Sequence, residues 1–158
     1  MKINGHVVNA MEPKVLVIPK GNENIVFKAQ PVLDYDEFDK LCPKPEAPGV
    51  LKPGGERFVD VRDSDYLKKL DIWASNRVHW MVLKSLSATP NLEWETVNMS
   101  DSTTWKNYAD ELTKSGFSNL ELRMIVDMVI TACGLNEEKI EQATKSFLAG
   151  QQVLPVKQ

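Results

Sequence analysis

Histidine and cysteine are scarce in this chain, two of each among 158 residues, and that scarcity removes most metal and acid–base chemistry at the outset. Cys42 sits in a proline-rich stretch and Cys133 near the end of a helical pattern, with no CxxC and no paired histidines beside either, so the spacing of a zinc site is missing. Two unpaired thiols suit a reducing cytosol. His6 and His79 stand alone, and each reads as a packed residue, because general-base work needs an oriented partner and a pocket. Gly-rich phosphate loops, GxSxG and HExxH are all absent. The run Asp34–Leu41, DYDEFDKL, alternates acids but lacks the Gly at the sixth and the Glu at the twelfth position of a calcium loop. No apolar run approaches the roughly 20 residues of a membrane span, and Met1 is followed by polar residues and not by a basic-then-apolar leader. Cations are not in excess. A net charge of −3 with scattered Lys and Arg argues against a nucleic-acid surface. The chain is read as cytosolic and non-enzymatic, with no cofactor, no metal, no nucleic acid and no membrane.

What is present is a long helical pattern. From Asp63 to Leu86 no Gly or Pro interrupts the chain, and Leu67, Leu70, Ala74, Val78 and Met81 recur at steps of three and four. Tyr66, Trp73 and Trp80 form a second stripe beside them, and Trp80–Leu83 leaves almost no polar side. Asp63 or Ser64 caps the start, and Thr89-Pro90-Asn91 stops the helix. Upstream, Val15–Ile18 and Ile25–Ala29 read as a hairpin across the turn formers Pro19–Asn24; Ile3, and then His6–Val8, supply a further strand, with Gly5 and Asn9 serving at its ends. Asp34–Leu41 reads as one or two helical turns with Phe38 and Leu41 inward. Pro43–Gly55 excludes helix and central strand; it reads as a connector whose Val50 and Leu51 pack on the domain, the alternative being a polyproline-type peptide for an aromatic-lined groove, and Arg57–Val61 is a short extended lead into the long helix.

Downstream, Leu92–Val97 alternates, placing Leu92, Trp94 and Thr96 on one side of an extended segment, with Trp94 against the helical core. Three helices follow. The first starts near Ser102–Thr104, carries Trp105, Tyr108 and Leu112 on one face and ends at Gly116. Ser118 and Glu121 form a capping box, with Phe117 and Leu122 at the spacing of a hydrophobic staple, for a second helix bearing Leu122, Ile125, Val126, Val129 and Ile130 and ending at Gly134. Asn136 caps the third, with Leu135 and Ile140 at staple spacing and Ala143, Phe147 and Leu148 on its face to Gly150. No internal repeat is found. The fold class is α+β: a small N-terminal antiparallel β-hairpin or sheet (residues 1–41), a Pro-rich connector (42–57) and a C-terminal bundle of about four helices (58–150), then a tail (151–158).

Over most of its length the order of segments resembles the tail assembly chaperones of long-tailed bacteriophages and prophages. The resemblance lies in VFKAQPVLDYDEFDKLCPKP, in LKPGGE, in RVHWMVLKSLSATPNLEWETV and in GFSNLELRMIVDMVITACGLNEEKIEQATKSFLAGQ. It implies a non-enzymatic protein of the host bacterial cytoplasm that binds the tape-measure protein and helps to recruit tail-tube subunits. Some members of that group are also made in a longer, frameshifted form. The alternative is a structural virion component such as a tail or head-to-tail joining protein. Met81, Met99, Met124 and Met128 would supply adaptable contacts to a client, and the Pro-rich arm offers self-association with a neighbouring copy. The partner is expected along the long helix beside Tyr66, Trp73 and Arg77: the aliphatic stripe closes the core, and aromatic residues ringed by Asp71, Ser75 and Asn76 have the composition of an interface hot spot.

Overall fold

A computed structural model describes residues 1–8, 12–134 and 137–152. Its architecture is α+β, three separate antiparallel strand pairs and five helices. β1 (Lys2–Ile3) and β2 (His6–Val7) close on each other through Asn4 and Gly5, both at positive φ (52° and 82°), so this strand pairs locally and does not extend the main sheet. Asn9 lies outside the described residues. The main hairpin is β3 (Lys14–Lys20) and β4 (Glu23–Ala29), joined by only Gly21 and Asn22. The strands run further into the turn formers than their composition suggests, and Pro19 is accommodated inside β3 because a two-stranded sheet has only edges.

The inward face of the hairpin carries Leu16, Ile18, Ile25, Phe27 and Ala29, and it closes on α4 (Asn119–Ala132). α1 (Asp36–Leu41) is a single short helix whose one inward position is Phe38, fully buried. Leu41, expected inward, lies at the rim and is exposed, since six residues bring one side chain into the core and the next step of three passes its edge. The Pro-rich stretch is not a plain connector. β5 (Gly49–Leu51) pairs with β6 (Arg57–Val59) in an arm whose Val50 and Leu51 are exposed and do not pack on the body. The prolines stand outside the paired residues, Pro48 before β5 and Pro53 in the turn, where no ladder amide is needed.

α2 (Ser64–Leu86) is the long helix, opened by the Asp63 carboxylate, which accepts the Tyr66 amide at 2.8 Å. Its last two turns are enclosed on nearly every side: Trp80, Met81, Val82, Leu83, Ser85 and Leu86 are buried, with β4 and α4 packed against them. The one polar member is satisfied, the Ser85 hydroxyl donating to the Gln30 carbonyl at 2.7 Å. The helix departs from the expected assignment of its faces at three of the five stripe positions, while Leu70 and Met81 do turn inward. Leu67, Ala74 and Val78 are exposed, whereas Leu70, Trp73 and Arg77 are half-buried. The covering elements account for this: α1 seats Phe38 against the aromatic stripe, and β4 and α4 reach only the C-terminal half of the aliphatic one.

Residues 92–97 form no strand; Leu92, Trp94 and Val97 turn partly inward and Thr96 outward, so Trp94 does reach the core, edge-on to Tyr108 at 6.4 Å between centroids. A 3-10 turn at Ser102–Thr104 leads to α3 (Asn107–Lys114), and Trp105, Tyr108 and Leu112 are all buried, as their spacing predicts. Gly116 follows at φ 91°. Ser118 and Glu121 form both halves of the capping box on α4, and Gly134 ends it at φ 69°. α5 (Glu137–Gln152) continues past Gly150, and Ile140, Ala143, Phe147 and Leu148 are exposed and do not join a bundle. The expected cap at Asn136 with Leu135, and the tail from 153, lie outside the described residues.

Candidate functional site

Phe38 is the hub of an aromatic cluster: its ring lies 6.0 Å from Trp73, 5.8 Å from Trp80 and 5.9 Å from Trp105, centroid to centroid. Arg77 lays its guanidinium over Tyr35, 4.2 Å from the ring, and over Trp73 at 5.7 Å; Lys44 covers Trp73 from another side at 5.4 Å. The Trp73 indole N–H donates to the Cys42 carbonyl at 3.1 Å. Burial pushes the Tyr35 phenol up, the nearby Cys133 adds to this, and Arg77 opposes it. Of the three residues expected at a partner surface, the structure joins Trp73 and Arg77 and leaves Tyr66 outside their cluster among the described residues. Trp73 and Arg77 belong to the seam between α1 and α2 and, like Tyr66, are half-buried, so part of the face expected for a partner is covered by α1.

A shallow cleft of about 410 Å³ lies on α2 beside Asp71, Ser75, Asn76 and His79, and a larger one lies elsewhere. A cleft of about 640 Å³ opens between the N-terminal half of β4 and the loop that follows α2, with the end of α3 as its floor. Leu92, Trp94, Leu112 and Phe117 give it apolar walls, and Asn24–Phe27 bring a strand edge to its side. Phe117 is held edge-on to Phe27 at 5.5 Å, which fixes the α3–α4 corner beneath the hairpin. Lys20 ties the same corner from above: its ammonium donates to the Gly116 carbonyl (2.8 Å) and to Glu121 (2.6 Å) and lies 4.9 Å over the Phe117 ring. The opposite wall is pinned by Glu111, whose carboxylate accepts the amides of Glu95 (2.9 Å) and Thr96 (2.6 Å). Burial alone would raise the Glu111 carboxyl; the Thr96 hydroxyl and the amides of Glu95, Thr96 and Val97 outweigh it and hold the group below the usual carboxylate range.

Compared with protein families, curated proteins and solved structures, the chain finds no match. The site therefore stands on its own chemistry. Among the described residues no group of three or more His, Cys, Asp and Glu is placed to hold a metal ion, and no helix is long and apolar enough to cross a membrane. Two of the charged side chains that line the cleft, Lys20 and Glu111, are committed to structural bonds. What the cleft presents is apolar side-chain surface beside the strand β4. Sequence reasoning placed Trp94 against the core but missed the cleft, because its walls come from segments some 60 to 90 residues apart that no local pattern connects. Glu111 gave no signal either, since it looks like any exposed acid on an amphipathic helix.

Proposed function

We propose that the chain is a non-enzymatic assembly chaperone of a bacteriophage tail, which binds the tape-measure protein and helps to bring tail-tube subunits to it in the host cytoplasm. The resemblance of its segments to that group motivates the reading. The observation that supports it most is the amount of apolar surface the chain leaves open in rows on single faces. Val15, Val17 and Val26 line the outer side of the β3–β4 hairpin; Leu51, Val59 and Val61 stand on the arm; Leu67 and Val78 occupy one side of α2; Ile140, Phe147 and Leu148 occupy α5. Isolated exposed apolar residues are ordinary, but rows on one face of an element mark contact surfaces. A protein that holds another chain before assembly needs such surface.

The test is co-expression with a tape-measure protein of a long-tailed phage. The tape-measure protein is expected to become soluble and to co-purify; equal insolubility with and without this chain overturns the reading. Mass spectrometry of purified particles separates an assembly factor, which is left behind, from a joining protein, which is retained.

A further inference from the structure

The hydrogen-bond register of the main hairpin fixes which backbone groups face the cleft. Lys20 and Glu23 close a two-residue turn with Gly21 at φ 57° in its first central position, the sign pattern of a type II′ turn, whose flanking residues exchange both hydrogen bonds. Alternation then makes Ile25, Phe27 and Ala29 the bonded positions of β4 and turns the N–H and C=O of Asn24, Val26 and Lys28 away from β3. An independent contact agrees. Thr89 uses its hydroxyl like a residue of a neighbouring strand: it accepts the Lys28 amide at 2.9 Å and donates to the Lys28 carbonyl at 3.0 Å. Beyond it the Gln30 amide donates to the Ser85 carbonyl at 3.0 Å. The edge of β4 is thus dressed at its C-terminal end. At Val26 and Asn24 the backbone groups have no partner among the described residues, and this is the stretch that borders the cleft.

We propose that this cleft binds an extended peptide segment of a client, added to the β3–β4 hairpin as a third strand through the backbone of Val26 and Asn24. A bare strand edge recognises an extended backbone through its alternating donors and acceptors. The side-chain rule follows from the pleat. A segment residue opposite Val26 points outward with Val26, and its two neighbours point to the side on which Phe27 lies. The preferred segment is therefore apolar at alternate positions. Its charge follows from the lining: Lys20 is bonded to Glu121, Glu111 to the Glu95 and Thr96 amides, and exposed Glu93 has no ion pair among the described residues, which favours a Lys or Arg in the segment. β3 has an outer edge too, but Pro19 offers no N–H there, and Val15 and Val17 do not line the cleft. The inference deepens the chaperone reading and rests on it for the source of the segment.

The test uses the full chain and a short blocked fluorescent peptide of alternating valine and threonine with lysine at each end, together with its twin N-methylated at the central amide. Saturable binding is expected, about tenfold weaker for the twin because one hydrogen bond is lost with the side chains unchanged. Amide exchange at Val26, followed residue by residue, is expected to slow when peptide is added. Val26→Pro removes the bare N–H, which the ladder does not use, and is expected to abolish binding; should that variant not fold, the N-methylated twin decides. Equal binding of both peptides, no saturable binding, protection at Val15 and Val17 instead, or protection of Val26 by a second copy without peptide each overturns the proposal. Peptide capture without tape-measure co-purification sinks the tail reading and keeps the site. Co-purification that survives Val26→Pro keeps the tail reading and sinks the site.

Discussion

Trp73 donates its indole N–H to the carbonyl of Cys42, 3.1 Å away, across the seam between the long helix and the chain that leaves α1. The contact makes Trp73 a fastening and not a leftover. Its ring also packs on Phe38 and lies under Arg77 and Lys44. Trp73→Ala is expected to cost about 2 kcal/mol of folding stability, below the roughly 3 to 5 of a fully buried Trp because one side stays wet. Trp73→Phe keeps most packing and loses the hydrogen bond, about 1 kcal/mol. Urea unfolding of the two variants checks the order; a wild-type midpoint for Trp73→Ala would return this side chain to the list of partner contacts.

His79 sets a second expectation. The imidazole is half-buried, edge-on to Tyr108 at 5.9 Å, and its Nδ1 has no hydrogen-bond partner among the described residues. Burial, and then the charge of Lys106, lower its pKa below the ordinary value. The unfolded chain therefore takes up the proton first, so the stability tied to neutral His79 is complete above about pH 6.5 and is lost as pH falls toward the folded-state value. Asp101, Glu111 and Glu121 are held below the carboxylate range, and their contributions are lost only at lower pH, below about 4. His79→Gln is expected to flatten the urea midpoint between about pH 7 and 5 while leaving the acid limb in place. The same slope in wild type and variant would show that another group carries it.

Where the fold was legible in the sequence, the signal was local. Gly116 and Gly134 as helix stops, the capping box of Ser118 with Glu121, and the buried row Trp105, Tyr108 and Leu112 each follow from neighbours within a turn or two. What failed depends on which element covers which. Leu67, Ala74 and Val78 have faultless helical spacing and are exposed, because spacing says that residues share a face and not that a neighbour meets it. Ile140, Phe147 and Leu148 repeat the lesson on α5. The cleft was illegible for the same reason: the bare edge at Val26 follows from hairpin register and from Thr89 sitting opposite Lys28, a contact across 61 residues.

Truncation after Gly134 is expected to leave the body as stable as the full chain. The exposed apolar side chains of α5 contribute no burial to the core formed by α2, α3, α4 and the hairpin. Thermal unfolding of the two lengths should coincide within the roughly 0.5 kcal/mol typical of surface changes. A marked drop for the shorter chain would mean that α5 covers part of the body in solution.

Trp80 and Trp105 offer the sharpest comparison, since both are fully buried, both touch Phe38 and, among the described residues, only Trp105 has its N–H satisfied. The Trp105 indole donates to the Met99 carbonyl at 3.2 Å, holding the loop before α3, while the Trp80 N–H has no acceptor among the described residues. Replacing either ring by Phe removes similar volume and leaves a similar gap. For Trp105→Phe the change also strips the Met99 carbonyl of its donor; for Trp80→Phe it removes a buried polar group that was already unmatched, which offsets part of the cavity cost. Trp105→Phe is therefore expected to be the more destabilising by about 1 to 2 kcal/mol. Chemical denaturation of the pair measures the difference directly. Equal losses would mean that Trp80 finds an acceptor in solution, and a larger loss at Trp80 would mean that packing against Tyr35 and Phe38 outweighs the hydrogen-bond difference.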